Sequence, residues 1–130
     1  MNPQSPTLND EIQKIQLQRG ELIFREGDIE AHFFIVESGK VQIFCLGKQG
    51  QKIDICQIDE GESFGEFALL DKAPRSASAL ALTECTVIKV SERGYQQLVD
   101  DIPVWASSML SSFIKRIKNM NHLLKQSALR

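Results

Sequence analysis

The sequence is short of the residues from which metal and redox sites are made. It has two histidines, His32 and His122, and three cysteines, Cys45, Cys56 and Cys85. Neither histidine lies near a cysteine and no Cys-x-x-Cys pair occurs, so no zinc or iron–sulfur site is expected. Two distant histidines also fail to supply the clustered ligands of a metal-dependent cupin. No metal and no cofactor are therefore expected. An odd number of cysteines without paired spacing reads as free thiols in a reducing compartment, with Cys45 and Cys56 as small core residues of apolar strands. Long apolar runs are missing too. No uncharged stretch approaches the roughly 18 residues of a spanning helix. The first seven residues, Met-Asn-Pro-Gln-Ser-Pro-Thr, lack the basic and apolar blocks of a signal peptide. The expectation is a cytoplasmic chain with no membrane partner.

A surplus of positive charge is also absent, since 15 basic residues face 17 acidic ones for a formal net charge of −2. A nucleic-acid-binding domain carries a basic footprint. Here Lys115, Arg116 and Lys118, with Lys125 further on, form the one basic cluster, which on a helix reads as a solvated face. No nucleic-acid contact by this chain alone is expected. What is present is ordinary: 42% hydrophobic and 25% charged residues over 130 positions suit one soluble domain able to bury a core.

From Ile12 onward the apolar residues fall into short blocks. Residues 12–17, Leu22-Ile23-Phe24, Phe33-Phe34-Ile35-Val36, Val41 to Leu46 and Ile53 to Ile58 are rich in β-branched and aromatic types. Such blocks are strands. Glycine-bearing breaks at residues 26–28, 38–40, 47–50 and 59–61 carry turn chemistry. Strands at intervals of about ten residues predict an all-β sandwich or barrel. The gaps are too short for the crossovers of a parallel sheet. Strands resume at about 77–82 and 85–90, after a stretch from 64 to 70 that fits a short helix.

Two helices are predicted to follow. Ser91 is placed as the N-cap of the first. Pro103 suits the first turn of a longer one running to about Gln126. On this long helix Ala106, Leu110, Phe113, Ile117, Met120 and Leu124 are spaced alternately by four and three, which is the a/d seam of a coiled coil. A homodimer through that seam is expected. The alternative is a helix lying on its own barrel, for which a second stripe of Trp105, Met109 and Leu123 would serve. The resulting division is a tail at 1–11, one domain at 12–126 (barrel about 12–90, helices about 91–126) and a tail at 127–130.

Residues 61–79 carry the chemistry. A helix start beside Gly65 offers free backbone N–H groups to an anion. An arginine fixed at the start of the following strand, Arg75, adds a bidentate phosphate contact. Glu66, one residue into the helix, would repel a bare phosphate but accepts from a sugar hydroxyl. Together the three suit a phosphate joined to a ribose. Read singly, Glu66 is a carboxylate favoured by a helix dipole and Arg75 a surface ion pair.

The segment Phe64-Gly65-Glu66-Phe67-Ala68-Leu69, followed by Pro74-Arg75-Ser76-Ala77, resembles the phosphate-binding cassette of the cyclic-nucleotide-binding domain family. That family includes the regulatory subunits of protein kinase A, cyclic-nucleotide-gated channels and the catabolite activator protein. Residues 20–28 and 33–41 resemble the strands and turns that precede the cassette, so the likeness runs from about 15 to 126. It implies a mainly β fold with α: a double-stranded β-helix, or jelly-roll, barrel with a short cassette helix and a long C-terminal helix. It implies a regulatory sensor that binds cyclic AMP or cyclic GMP, the former preferred, and signals through the C-terminal helix. By the resemblance, Arg75 holds the exocyclic phosphate oxygens and Glu66 the ribose 2′-hydroxyl. Gly65 and Ala68 offer amides, Ser76 its hydroxyl or amide, and Phe67 and Ala77 complete the cradle.

The sequence departs from the catabolite activator pattern on the long helix, where a Thr-Ser pair reaches the base. Met120 and Asn121 stand there instead. Methionine packs on a purine face and asparagine offers both donor and acceptor to a base edge. The winged helix-turn-helix of that subfamily is not in the sequence, so the chain reads as a freestanding sensor or as the ligand domain of a longer regulator. A dimerisation module with a vestigial pocket is a further alternative. One enzyme motif is present by letter: Gly61-Glu62-Ser63-Phe64-Gly65 satisfies the G-x-S-x-G nucleophile elbow, with Asp100 and His122 downstream. That elbow needs a parallel sheet, which the strand spacing does not provide, and no catalytic residue is assigned.

Overall fold

In a computed structural model, residues 11–66 and 72–128 are described, with the side chains of 121–128 excepted. Among the described residues eight strands form in chain order: β1 Ile12–Leu17, β2 Leu22–Phe24, β3 His32–Ser38, β4 Val41–Leu46, β5 Lys52–Ile58, β6 Ser63–Phe64, β7 Ser78–Ala81 and β8 Cys85–Ser91. They pair into two four-stranded sheets, β1-β8-β3-β6 and β2-β7-β4-β5. Every pairing among the described residues is antiparallel. The chain divides into two units, Met1–Gly94 and Tyr95–Arg130.

The first unit is a jelly-roll sandwich. Side chains alternate across a strand, and the start of β8 shows the result: Thr86 and Ile88 are partly exposed while Cys85 and Val87 are buried. These residues meet Phe34 and Val36 of β3, Leu17 of β1, Phe24 of β2, Val41 of β4 and Ala79 and Ala81 of β7 in the core. The expected barrel is in fact two sheets around one core, with no edge-to-edge pairing between them among the described residues. Gly39 makes the tight return from β3 to β4. Its φ is 91°, and a Cβ there would stand 2.4 Å from the Cys85 Cβ.

Two placements differ from expectation. Cys56 is exposed and Cys45 only half-buried, while Cys85 is the buried thiol, its pKa pushed up mainly by desolvation. The reason is position: β5 lies at the edge of its sheet, and all its residues before Ile58 are exposed. Apolar pattern alone does not tell a covered strand from an edge.

Helix α1, Glu92–Asp100, starts where Ser91 was placed as its cap. The Gly94 amide donates to Ser91 Oγ at 3.0 Å, the contact an N-cap makes to the third helical residue. Helix α2, Val104–Ala128, runs on past the expected end at 126. The Ala106 and Ser107 amides both donate to the Pro103 carbonyl at 3.0 Å. Along α2, Ala106, Leu110 and Ile114 are half-buried, whereas Trp105, Met109, Phe113, Ile117 and Met120 are exposed. The side chains of Leu123 and Leu124 lie outside the described residues.

Candidate functional site

Arg75 is the centre of the site, and the structure buries it. Only 4% of its surface is exposed. It lies just before β7, in an extended segment rather than in the strand itself. That segment is fixed by backbone bonds to the β2–β3 connection: the Arg75 amide donates to the Asp28 carbonyl at 2.9 Å, and the Gly27 amide donates to the Arg75 carbonyl at 2.8 Å. One step on, the Glu26 amide donates to Ser78 Oγ at 2.8 Å. Two loops distant in sequence are thereby held side by side.

The guanidinium is held as firmly. Nη1 donates to the Gly65 carbonyl and Nη2 to the His32 carbonyl, each at 2.8 Å. Its carbon sits 4.1 Å from the Phe24 ring centre and 5.7 Å from that of Phe34, within cation–π range. Phe34 stacks on Phe64 at 5.2 Å, so the floor beneath the arginine is part of the core. Burial lowers the Arg75 pKa, opposed first by Glu30 and then by Asp28 and Glu66. Glu30 Oε1 is 3.6 Å from Nη2. Nε is buried without a hydrogen-bond partner.

Gly65 has a φ of 81° and a Cβ built there would approach Arg75 Nη1 to 2.8 Å. Glycine is required twice over, by backbone conformation and by the arginine. Glu66, half-buried, is the first helical residue of the expected cassette helix. Ser63 Oγ donates to its Oε1 at 2.7 Å. Phe67 and Ala68 lie outside the described residues, as does the rest of that helix. Ser76 is exposed and Ala77 buried. Met120 is an exposed residue of the second unit, and the Asn121 side chain lies outside the described residues.

The structure thus brings Gly65 and Arg75 into contact, with Glu66 next in the chain. Sequence reasoning missed the aromatic floor, the His32 carbonyl and Glu30. The esterase reading finds no support: Ser63 lies in β6, paired antiparallel with β3, not on a turn from a parallel strand into a helix.

A model of the "Cyclic nucleotide-binding domain" family matches residues 14–101, which is more than half of the chain and includes Glu30, His32, Gly65, Glu66 and Arg75 but not Met120 and Asn121. The chain belongs to the cyclic nucleotide-binding domain family. It is 32% identical over 100 residues to the cyclic AMP receptor protein of Thermus thermophilus, covering 77% of this chain and 46% of that protein. It is 36% identical over 93 residues to a cAMP-dependent protein kinase regulatory subunit of Emericella nidulans, covering 72% and 22%. The chain therefore spans less than half the length of these two relatives. Among solved structures, an EAL enzyme in a half-site-occupied form superposes with a TM-score of 0.77 at 29% identity, over 84% of this chain and 97% of that one. The Thermus thermophilus catabolite activator protein superposes with a TM-score of 0.71 at 29% identity, over 91% and 55%. As a cyclic nucleotide-binding domain, the chain is of regulatory type, like the receptor protein and regulatory subunit it resembles. No helix among the described residues is long and apolar enough to cross a membrane.

Proposed function

We propose that this domain is a cytoplasmic, non-enzymatic sensor that binds a 3′,5′-cyclic nucleoside monophosphate, cyclic AMP in preference to cyclic GMP. The observation that carries the reading is the buried Arg75 clamped to the Gly65 carbonyl within a matching cassette. Two of its N–H groups are committed to carbonyls. The Nε–H and the second hydrogen on each terminal nitrogen are left to meet the exocyclic oxygens of a phosphate. Glu66 takes the 2′-hydroxyl, and Gly65, Ala68 and Ser76 supply the cradle. Phe67 and Ala77 line it. The similar EAL enzyme has been solved in cAMP-bound and cGMP-bound forms, and the Toxoplasma gondii PKA regulatory domain with cAMP. These support the ligand class and leave the base to experiment.

A cyclic phosphodiester carries one delocalised charge, whereas a 5′-monophosphate carries more and crowds Glu66. In a competition assay, cyclic AMP is expected to displace a bound fluorescent cyclic nucleotide at concentrations at least tenfold below those of AMP, an order-of-magnitude figure from charge repulsion at one carboxylate. Equal potency of the two would remove the basis for the assigned roles of Glu66 and Arg75. If neither the fluorescent probe nor cyclic AMP binds, the domain is a dimerisation module with a vestigial pocket.

Base preference is assigned to Met120 and Asn121, the former packing on the purine and the latter accepting from the adenine amino group. A Ser76 hydroxyl favours guanine instead. One such contact is worth about 0.5–1.5 kcal/mol, so the preference for cyclic AMP should not exceed about tenfold.

Occupancy is relayed through α2, which we place as one half of a parallel homodimer seam of Ala106, Leu110, Phe113, Ile117, Met120 and Leu124. The exposure of Phe113, Ile117 and Met120 in the single chain supports this. Ile117→Glu sets a carboxylate against its symmetry mate in an apolar seam, at a large desolvation and repulsion cost. Ile117 is 41% exposed, so the monomer should tolerate the change. Sedimentation is expected to show the parent as a dimer and the variant as a monomer; an unchanged mass for the variant would refute the seam.

A further inference from the structure

The structure assigns a second carboxylate to the site: we propose that Glu30 is the counter-ion of Arg75 in the empty pocket and lowers the domain's affinity for a cyclic phosphate. This rests on the nucleotide-binding reading and deepens it. Arg75 is a desolvated cation, and a buried charge without a partner is costly. Among the described residues its ion-pair partner is Glu30, with Oε1 3.6 Å from Nη2. Of the carboxylates that favour the charged arginine, Glu30 ranks before Asp28 and Glu66.

The same oxygen lies 4.0 Å from His32 Nδ1, a buried nitrogen with no hydrogen-bond partner. Burial and Lys89 both lower the His32 pKa. Glu30 Oε1 thus stands closer to the Arg75 guanidinium, at 3.6 Å, than to this ring. Glu30 attracts Arg75 whether or not ligand is present. Once a phosphate reaches the guanidinium, however, the two anions stand on one cation and repel each other. The empty state gains the attraction and the bound state gains it less the repulsion. By linkage, Glu30 must then oppose binding. Its side chain is 35% exposed, so solvent screens the repulsion and limits the effect to roughly three- to tenfold in affinity.

Glu30→Gln keeps the shape and removes the charge. Two readouts on the full chain separate the possibilities. In a calorimetric titration, Glu30→Gln is expected to bind cyclic AMP roughly three- to tenfold more tightly than the parent. An unchanged or weaker affinity overturns the proposal, because a residue that merely supports the fold has no route to a gain. The second readout needs no ligand. A double-mutant cycle of Glu30→Gln and Arg75→Met on thermal unfolding should show that Glu30→Gln lowers the melting temperature only when Arg75 is present. Equal lowering in both backgrounds overturns the counter-ion assignment. If the parent binds no cyclic nucleotide while the cycle shows coupling, the functional reading fails, and with it the effect on affinity, but the ion pair stands. Should Arg75→Met not fold, the neutral Arg75→Gln takes its place in the cycle.

Discussion

Arg75→Ala should abolish measurable cyclic-nucleotide binding at micromolar concentration and should also destabilise the domain. The sequence alone predicts the first effect and not the second. Because Arg75 interrupts no apolar pattern, the fold is expected from sequence to survive its loss. The structure adds a cost in stability to that expectation: the side chain is buried on Phe24 and satisfies the carbonyls of Gly65 and His32. Truncation leaves both carbonyls without their donors, at about 1–3 kcal/mol each where water cannot reach them. A net loss of about 3 kcal/mol is the expectation from chemical denaturation. Loss of a charge-assisted partner to a desolvated phosphate costs a further 2–5 kcal/mol or so in binding. Glu66→Ala should cost less, about 1.5–3 kcal/mol for a bond between carboxylate and hydroxyl, and should leave stability nearly unchanged. A variant lacking Arg75 that keeps its affinity within twofold would show that the site is wrongly placed.

Gly65→Ala should act on the same contact from the other side. At a φ of 81° a Cβ is disfavoured by about 1–2 kcal/mol. Its nearest neighbour is Arg75 Nη1 at 2.8 Å. The tip of a free arginine would swing aside at little cost, but this one is anchored to two carbonyls and an aromatic face. The added methyl must therefore push the guanidinium off its carbonyl or bend the cassette. Either response moves the phosphate-binding group, and a loss of affinity of at least about tenfold is expected, in proportion to one disturbed charge-assisted hydrogen bond. Stability should fall by about 1–2 kcal/mol. Affinity unchanged while stability falls would mean that the Gly65–Arg75 contact has no part in ligand binding.

These two residues also mark how far the sequence could be read. Gly65 and Arg75 stand in the cassette by letter and spacing, and the strands stand out because β-branched blocks alternate with glycine turns. The cap at Ser91 was legible because its chemistry is local. What was not legible is whatever depends on contacts between distant segments. Glu30 lies in a connection without periodicity and His32 opens β3 just after it, and the backbone bonds of Arg75 with Asp28 and Gly27 bring that connection to the cassette. Phe24 and Phe34 read as core, with no sign that one ring face would carry a cation. Cys56 read as core because its strand is apolar, and an edge position is set by sheet order, which no local pattern encodes. On α2 the heptad spacing identified an apolar seam but not how much of it the single chain leaves exposed.

The central claim is that this pocket holds a cyclic nucleotide through Arg75, and calorimetric titration of cyclic AMP into the parent chain tests it most directly. The account predicts saturable binding at one site per chain, with heat abolished by Arg75→Ala and retained in Ile117→Glu, whose substitution lies in the seam rather than the cassette. No saturable heat from cyclic AMP or cyclic GMP, in a parent chain shown to be folded, would contradict it.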